Sequence, residues 1–315
     1  MSENFTTPAS FLEGKAEPHG FIDPYSDFGF KHIFGREPNR DFLIRFLNEI
    51  FKNRKVIVDI QYNTNEYKGP GKDYRKTIFD LYCTGDKGEK FIIEMQNAKA
   101  INFKERSIFY TSNLINEQGL GVLADWEYVL PEIYFVAIMN FKFDDSHPDH
   151  YIHDVRLIDI KTQEDFYPKL AYIFIEMPKF KKYAGELSTE LDEWLYILNN
   201  LNKNEEIPLS LRNKAEYKKL FEIAAIGNLT REEMNEYEQS LKIQRDNLST
   251  LSCAKKEGRD EGKNEGRIEG LVEGRIEGRD EANKKAAITL KKNNIDIALI
   301  AEATGLTIEE INALP

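Results

Sequence analysis

The sequence predicts an α/β protein in which helices flank a mixed β-sheet and a helical C-terminal region follows. Up to about residue 185, short apolar runs bounded by turn residues alternate with segments of helical periodicity. Beyond Glu186 the apolar residues recur only at helical spacing. The chain of 315 residues has 41% hydrophobic and 12% aromatic residues, which supports a packed core and excludes a globally disordered chain.

The elements are predicted in chain order from these patterns. Residues 1–24 read as a loose arm, and Pro38 is a typical first residue for a helix that runs to about Lys52. Strands are predicted over 56–67, 78–83, 91–95, 132–140, 151–160 and 170–177. A helix over 103–118 is ended by Gly119 and Gly121. These elements make 25–185 one predicted domain, followed by a helical region over 186–250.

The C-terminal segment 251–285 contains six glycines spaced four residues apart, namely Gly258, Gly262, Gly266, Gly270, Gly274 and Gly278. Each interior glycine costs a helix about 1 kcal/mol relative to alanine, so the isolated segment is predicted as a weak helix or a flexible linker. Packed against a copy of itself, however, the segment would allow close backbone approach, so we expect a homo-oligomer. Residues 286–315 are similar to a small helix-turn-helix. Glu309 and Glu310 favour packing or interaction over DNA reading there.

The charge distribution and the cysteine content limit which binding partners the sequence predicts. A net charge of −11 argues against a protein that coats nucleic acid uniformly. Between Lys31 and Lys76, 11 lysines and arginines stand against 6 aspartates and glutamates, which suits a phosphate-bearing substrate or a solvated surface equally. Two distant cysteines indicate neither disulfides nor zinc. Because we find no signal peptide and no apolar stretch of about 20 residues, we expect a cytoplasmic protein without a membrane partner.

The most informative segment is a predicted β-hairpin over 77–96, which brings two carboxylates together. Its turn is Gly85-Asp86-Lys87-Gly88, and a turn centred near Lys87 places Asp80 directly opposite Glu94. Side chains alternate along a strand, so Asp80, Glu94 and Gln96 would share one face, with the carboxylates on the order of 5 Å apart. Facing like charges destabilise a sheet unless a cation with oxygen ligands compensates. The hairpin therefore predicts a metal site.

An ordered set of motifs surrounds this hairpin. It comprises Tyr25-Ser-Asp27-Phe-Gly-Phe-Lys31-His-Ile-Phe-Gly, Ile92-Ile-Glu94-Met-Gln96, Arg106-Ser-Ile-Phe-Tyr110, the Glu-Gly-Arg repeats and the terminal Ala-Thr-Gly-Leu-Thr-Ile-Glu-Glu-Ile segment. The set resembles the recombination-promoting nuclease/transposase (Rpn) family of the PD-(D/E)XK nuclease superfamily. The resemblance covers most of the chain, and the order of the motifs is more specific than the hairpin alone.

The resemblance implies a restriction-endonuclease-like PD-(D/E)XK fold and a bacterial, Mg²⁺-dependent DNA endonuclease linked to recombination or mobile elements. Asp80 and Glu94 would be metal ligands and catalytic residues, and Gln96 would complete the catalytic set. Mn²⁺ and Ca²⁺ are the alternative ions. The transposase label would require strand transfer, which none of these residues indicates.

Gln96 departs from the family pattern, because many PD-(D/E)XK enzymes have lysine at this position. Glutamine orients a water molecule through hydrogen bonds but supplies neither a general base nor a positive charge. Either the metal-bound hydroxide is a sufficient nucleophile, or another cation assists. Lys72 and then Lys31 are the candidates for that cation.

Four further residues have two interpretations each. Asp27 is either an auxiliary acid near the metal or the N-cap of a helix over 28–34. Glu49 is either the acid that the first core helix supplies in related nucleases or a surface residue. Arg106 and Tyr110 lie one turn apart on a predicted helix, where they either contact DNA phosphate or brace the hairpin.

Two other functions stay open from the sequence. Gln96 is compatible with a catalytically degenerate protein that keeps the nuclease fold for DNA binding or assembly, although retention of both Asp80 and Glu94 opposes this. The glycine repeat is compatible with an interaction scaffold.

Overall fold

The computed structural model describes residues 20–67, 77–120, 129–144, 147–203 and 207–315, without the side chains of 118–120. The strands are β1 (Ile60–Tyr62), β2 (Glu66–Tyr67), β3 (Thr77–Ile78), β4 (Leu81–Gly85), β5 (Lys90–Gln96), β6 (Ile133–Met139), β7 (Ile152–Ile158) and β8 (Asp165–Glu176). The α-helices are α1 (Asp27–Phe34), α2 (Arg40–Ile50), α3 (Phe103–Leu120), α4 (Glu190–Asn200), α5 (Leu209–Arg212), α6 (Ala215–Ala224), α7 (Arg231–Lys292), α8 (Ile297–Thr304) and α9 (Ile308–Ala313).

A mixed sheet of six strands forms the centre of the fold, in the order β1-β4-β5-β6-β8-β7. β5, β6 and β8 are parallel neighbours, whereas β1, β4 and β7 pair antiparallel. β6 is buried at every position, because helices and loops cover both faces of a parallel sheet. That burial explains its uninterrupted apolar sequence. The predicted mixed sheet with flanking helices is confirmed.

Two predicted strands are each interrupted at the point where the chain leaves one sheet and pairs in another. The segment predicted as one strand over 56–67 contains β1 and β2, which belong to different sheets. The strand predicted over 78–83 breaks between β3 and β4, at Phe79 and Asp80. Asn65 accounts for both breaks, since its carbonyl accepts from the Phe79 N–H (2.9 Å) and its side chain donates to the Asp80 carbonyl (2.8 Å). Local hydrogen bonds therefore replace the continuous ladder there.

The two faces of the sheet carry separate hydrophobic clusters, and the alternation along β5 divides its side chains between them. Phe91, Ile93 and Met95 enter the larger cluster, which α1, α2, α4 and α6 complete. Ile92 points into the smaller cluster, to which α3 contributes Phe103 and Leu114. Glu94 shares the face of Ile92, so α3 covers the part of the sheet that carries the predicted site.

Trp194 on α4 joins the helices that follow the sheet to the helices that precede it. Its side chain is fully buried. Its ring lies 5.8 Å from Phe34, 6.2 Å from Phe42, 6.0 Å from Phe46 and 5.3 Å from Tyr217, measured between centroids. The helices over 186–250 thus pack against the core, in agreement with their apolar stripes.

The core also includes the end of the segment predicted as an N-terminal arm. Residues 1–19 of that arm lie outside the described residues. Ile22 is fully buried, its N–H donates to the Ala224 carbonyl (2.9 Å), and the Ile226 N–H donates to the Gly20 carbonyl (3.0 Å). Residues 20–24 are therefore part of the packed structure.

The chain divides into two compact units, Met1–Arg245 and Asp246–Pro315. α7 begins at the predicted capping box, where the Glu233 N–H donates to Thr230 Oγ1 (3.2 Å) and the Thr230 N–H donates to Glu233 Oε2 (2.8 Å). The glycine repeat is helical rather than a loose linker. In the second unit, α8 and α9 pack on the end of α7 through Ile300, Ile311 and Ala287.

Within the described part of the chain, we find no helix with the length and hydropathy required of a membrane span.

We expect Trp194→Ala to lower the free energy of unfolding by about 3–5 kcal/mol, because it empties a site that four aromatic rings surround. Urea unfolding followed by far-UV circular dichroism measures this change. Trp194→Phe should cost less, since the buried Nε1–H has no hydrogen-bond partner among the described residues.

Phe166→Ala is the matched control, because this side chain is 80% exposed and should change the free energy of unfolding by less than about 0.5 kcal/mol. A loss below 1 kcal/mol for Trp194→Ala, by the same urea measurement, would show that these helices do not depend on the shared core.

Candidate active site

The register of β4 and β5 places Asp80 opposite Glu94, as the turn chemistry predicts. Leu81 pairs with Ile93, and Asp80 is the residue immediately before Leu81. The Asp80 N–H donates to Glu94 Oε1 (3.2 Å), and the Met95 N–H donates to Asp80 Oδ2 (2.8 Å). Each carboxyl group is thus held by the backbone next to the other one.

Gln96 lies two residues beyond Glu94 on the same face of β5. Its Nε2 donates to Glu94 Oε2 at 3.0 Å. Glu94 is 2% exposed, whereas Gln96 and Asp80 keep partial exposure to solvent. Gln96 therefore fixes the orientation of the buried carboxyl, and its own role towards an attacking water stays a prediction.

Both carboxyls of the pair resist ionisation. Burial, and then the charge of Asp80, raises the pKa of Glu94 to about 8. Burial also raises the pKa of Asp80, to about 6, although the Met95 N–H opposes this change. Asp80 is partly exposed as a residue, but burial is still the largest cause of its shift. Near neutral pH the two groups therefore hold about one proton between them.

The donor set fits a hard divalent cation. Carboxylate oxygens are the ligands of Mg²⁺, and a cation would remove the repulsion that raises the pKa of Glu94. Within the described ranges, no group of three or more His, Cys, Asp or Glu side chains is placed to hold a metal ion. An ion bound by Asp80 and Glu94 would accordingly keep several water ligands, as Mg²⁺ commonly does.

α1 brings Asp27 and Lys31 into the electrostatic surroundings of Asp80. Asp27 raises the pKa of Asp80 and Lys31 lowers it, in addition to the larger effect of burial. Lys31 Nζ lies 2.6 Å from Asp27 Oδ1, so the lysine charge is already engaged. The N-cap of α1 is Ser26, whose Oγ accepts from the Gly29 N–H (3.0 Å), so the N-cap interpretation of Asp27 is wrong.

Gly29 allows this start of α1 to form. A Cβ at that position would lie 2.0 Å from the Asp23 carbonyl oxygen, a distance that no side chain tolerates. Ser26 Oγ donates to the same carbonyl at 2.7 Å. The Ser-Asp-Phe-Gly segment thus forms a tight start of α1, and this start places Asp27 and Lys31 where their charges act on Asp80.

Two predicted auxiliary residues gain no support from the geometry. Glu49 lies on α2, where its carboxylate accepts from Lys52 Nζ at 3.1 Å. That contact is local to the helix, and the helix acid that acts on Asp80 is Asp27 instead. Lys72 lies outside the described residues.

α3 places Arg106 and Tyr110 beside the hairpin. The Arg106 Cζ lies 4.8 Å from the Phe103 ring centroid and 5.7 Å from that of Tyr110. Tyr110 in turn packs edge-on against Phe79, with 5.2 Å between centroids. Arg106 lowers the pKa of Asp80 and of Glu94, against the larger effects described above. The guanidinium thus belongs to the surroundings of both carboxyls.

Two residues that position Asp80, Phe79 and Asn65, were not predicted from the sequence. Phe79, the residue before Asp80, packs its ring against that of Tyr110. Asn65 holds the Asp80 carbonyl, and Thr77 accepts from Asn113 of α3 at 3.0 Å. An asparagine inside a predicted strand was the available signal for Asn65, because asparagine is depleted from strands.

Comparison with known families agrees with this arrangement. A family model described as PD-(D/E)XK nuclease family transposase matches residues 24–254, which is more than two thirds of the chain. The chain belongs to this family. The matched region includes the sheet, α1 and α3, so it contains every site residue described above. No curated protein and no solved structure gives a significant match.

We expect Glu94→Gln to stabilise the metal-free protein at pH 8. The folded protein holds a proton on Glu94 that the unfolded chain releases above its ordinary pKa of 4.5, so the free energy of unfolding falls as the pH rises from about 4.5 to about 8. The variant should gain about 2–4 kcal/mol at pH 8 and almost nothing at pH 4.5. Urea unfolding in EDTA at both pH values measures the difference.

The exposed Glu216→Gln on α6 serves as the control and should match the wild type at both pH values. Added Mg²⁺ should stabilise the wild type but not Glu94→Gln. Equal stability of Glu94→Gln and wild type at pH 8 would contradict the assigned ionisation.

Proposed function

We propose that the protein is a Mg²⁺-dependent DNA endonuclease that hydrolyses phosphodiester bonds. One observation carries the proposal: Asp80 and Glu94 form a buried pair of carboxyls whose backbone contacts hold them together despite their mutual repulsion. A protein without a cation at this point would have a less costly pair of neutral side chains. Membership of a nuclease family agrees with this function.

Each residue of the site has a defined task in this proposal. Asp80 and Glu94 would hold the ion, and Gln96 keeps Glu94 oriented and directs its remaining amide hydrogen-bonding capacity to water. When bound, Mg²⁺ would lower the pKa of a bound water and neutralise charge on a phosphoryl oxygen. Arg106 and Tyr110 would contact DNA phosphate. Mn²⁺ and Ca²⁺ are the alternative ions.

The biological setting belongs to the proposal as well. The family description includes transposases, and we propose a role in DNA recombination or mobile elements. The site as described supports hydrolysis, and we do not extend the proposal to strand transfer. A bacterial origin and a cytoplasmic location stay predictions.

A second candidate is a catalytically degenerate protein that uses the nuclease fold for DNA binding or assembly. Gln96 favours it, because glutamine supplies no charge where many PD-(D/E)XK enzymes have lysine. The retained Asp80 and Glu94 favour the active nuclease.

We expect the wild type to nick supercoiled plasmid with Mg²⁺ or Mn²⁺ and not with EDTA. Asp80→Ala and Glu94→Ala should each lower the nicking rate at least about 100-fold, because each removes an oxygen ligand worth several kcal/mol in the transition state. Agarose-gel quantification of nicked circles over time measures the rates.

Glu216→Ala, which removes an exposed acid on α6, should nick at the wild-type rate. An inert wild type that binds DNA would contradict the nuclease. If Gln96→Lys then restored nicking, the degenerate alternative would be established.

We also propose that the chain forms a homo-oligomer through the glycine repeat of α7. Outside the adjacent backbone of α7, a Cβ added at any of the six repeat glycines would meet no atom within 4 Å, so the described part of the chain gives them no packing partner. Six glycines weaken a helix by roughly 1 kcal/mol each, which close contact with a second copy would offset. Ile268, Leu271, Val272 and Ile276 are exposed along the same segment. The same observations fit the interaction-scaffold alternative.

We expect the full-length double variant Gly266→Leu/Gly270→Leu to dissociate the oligomer into monomers in sedimentation velocity. The leucines find open space in their own chain but would block close approach of a second helix. Asn264→Leu adds the same side chain on nearly the opposite side of the helix and should leave the oligomer intact. A monomeric wild type, or an unchanged oligomer in the double variant, would overturn this interface.

A further inference from the structure

Arg106 has two donors that the described part of the folded chain leaves unsatisfied. Its Nε and Nη2 are buried and have no hydrogen-bond partner within the described residues. A buried donor without an acceptor costs about 1–3 kcal/mol, and more when it is charged. The arginine therefore requires an acceptor that the described chain does not supply.

The surroundings of Arg106 hold the guanidinium in place without satisfying it. Phe103 and Tyr110 contact it through their rings, at 4.8 and 5.7 Å from Cζ. Such cation–π contacts order the group and leave its N–H bonds unpaired. A purely structural arginine would more economically pair with one of the two nearby carboxylates, yet the described residues show no ion pair between Arg106 and Asp80 or Glu94.

The two unsatisfied atoms define the shape of the missing acceptor. Nε–H and one Nη–H lie along one edge of the planar guanidinium and point in parallel directions. This fork matches two oxygens of a single phosphate or carboxylate. A phosphate is the fitting partner under the proposed function, because the DNA phosphodiester is the group that has to lie beside Asp80 and Glu94 for hydrolysis.

We propose that Arg106 binds, through Nε and Nη2, the DNA phosphate that lies at the Asp80–Glu94 site, and supplies the positive charge that Gln96 lacks. This inference rests on the proposed nuclease function. Among the described residues, the alternative cation Lys31 is less suitable, since Asp27 engages it at 2.6 Å. Arg106 thus orients the phosphate and stabilises charge that develops on its oxygens during hydrolysis.

DNA binding tests this contact independently of cleavage. A short fluorescein-labelled duplex is titrated with full-length protein in EDTA at several NaCl concentrations, and the slope of log affinity against log salt is measured by anisotropy. One lost phosphate contact reduces the slope by about 0.9, so Arg106→Gln should show that reduction. Arg106→Lys keeps the charge and should keep the slope.

The control is Arg156→Gln on β7, since Arg156 pairs with Asp165 (2.8 Å) and should leave the slope unchanged. Plasmid nicking with Mg²⁺ provides the second measurement. Arg106→Gln and Arg106→Lys should both lower kcat about 100-fold, because lysine cannot form the fork. Thermal unfolding verifies that each variant is folded. If Arg106→Gln does not fold, the kcat of Arg106→Lys decides the test.

Each combination of results has one meaning. Suppose that the wild type nicks plasmid. An unchanged salt slope in folded Arg106→Gln, or an unchanged kcat in Arg106→Lys, would then overturn the phosphate contact and leave the nuclease intact. An inert wild type with a reduced slope in Arg106→Gln would overturn the nuclease and support the contact. A wild type that does not bind the duplex would overturn both.

Discussion

The structure around the hairpin depends on holding two carboxyl groups together away from water. Asp80 and Glu94 tolerate this position because each accepts a hydrogen bond from backbone beside the other. The register of β4 and β5 makes that exchange geometrically available, and α3 excludes solvent from the same face of the sheet. Removing solvent raises the pKa of both groups, which turns an ordinary strand pair into a site that favours a cation.

The sequence predicted the parts of the fold that local chemistry determines. Gly88 adopts a φ of +86° in the turn, a conformation that glycine accepts readily, and this turn defines which residues of the hairpin face each other. Apolar runs located β5 and β6 because both faces of those strands are buried. The break at Asp80 was not predictable from such patterns, because Asn65, fifteen positions away in sequence, supplies the competing hydrogen bonds.

The site was predictable to the extent that it lies within the hairpin. Outside it, the sequence identified residue types but not distances. Arg106 and Tyr110 were located on one helix face, yet only the packing of Phe79 against Tyr110 shows why that face meets the carboxyl pair. From the sequence, Asp27 and Glu49 were equally suitable as the auxiliary acid that a helix supplies to the site. The tight entry of α1, made possible by Gly29, brings Asp27 near Asp80, whereas Glu49 is engaged on α2 by Lys52.

The proton that Asp80 and Glu94 hold near neutral pH would make loading of the proposed metal ion an exchange reaction. An entering divalent ion would have to displace that proton, so binding near neutral pH would release about one proton into the buffer. Apparent affinity would then rise with pH, because burial and the charge of Asp80 raise the pKa of Glu94 and less proton remains to be displaced at higher pH. The heat measured on binding would consequently depend on the ionisation enthalpy of the buffer. Burial of one glutamate would thereby couple the occupancy of the proposed metal site to the acidity of its surroundings.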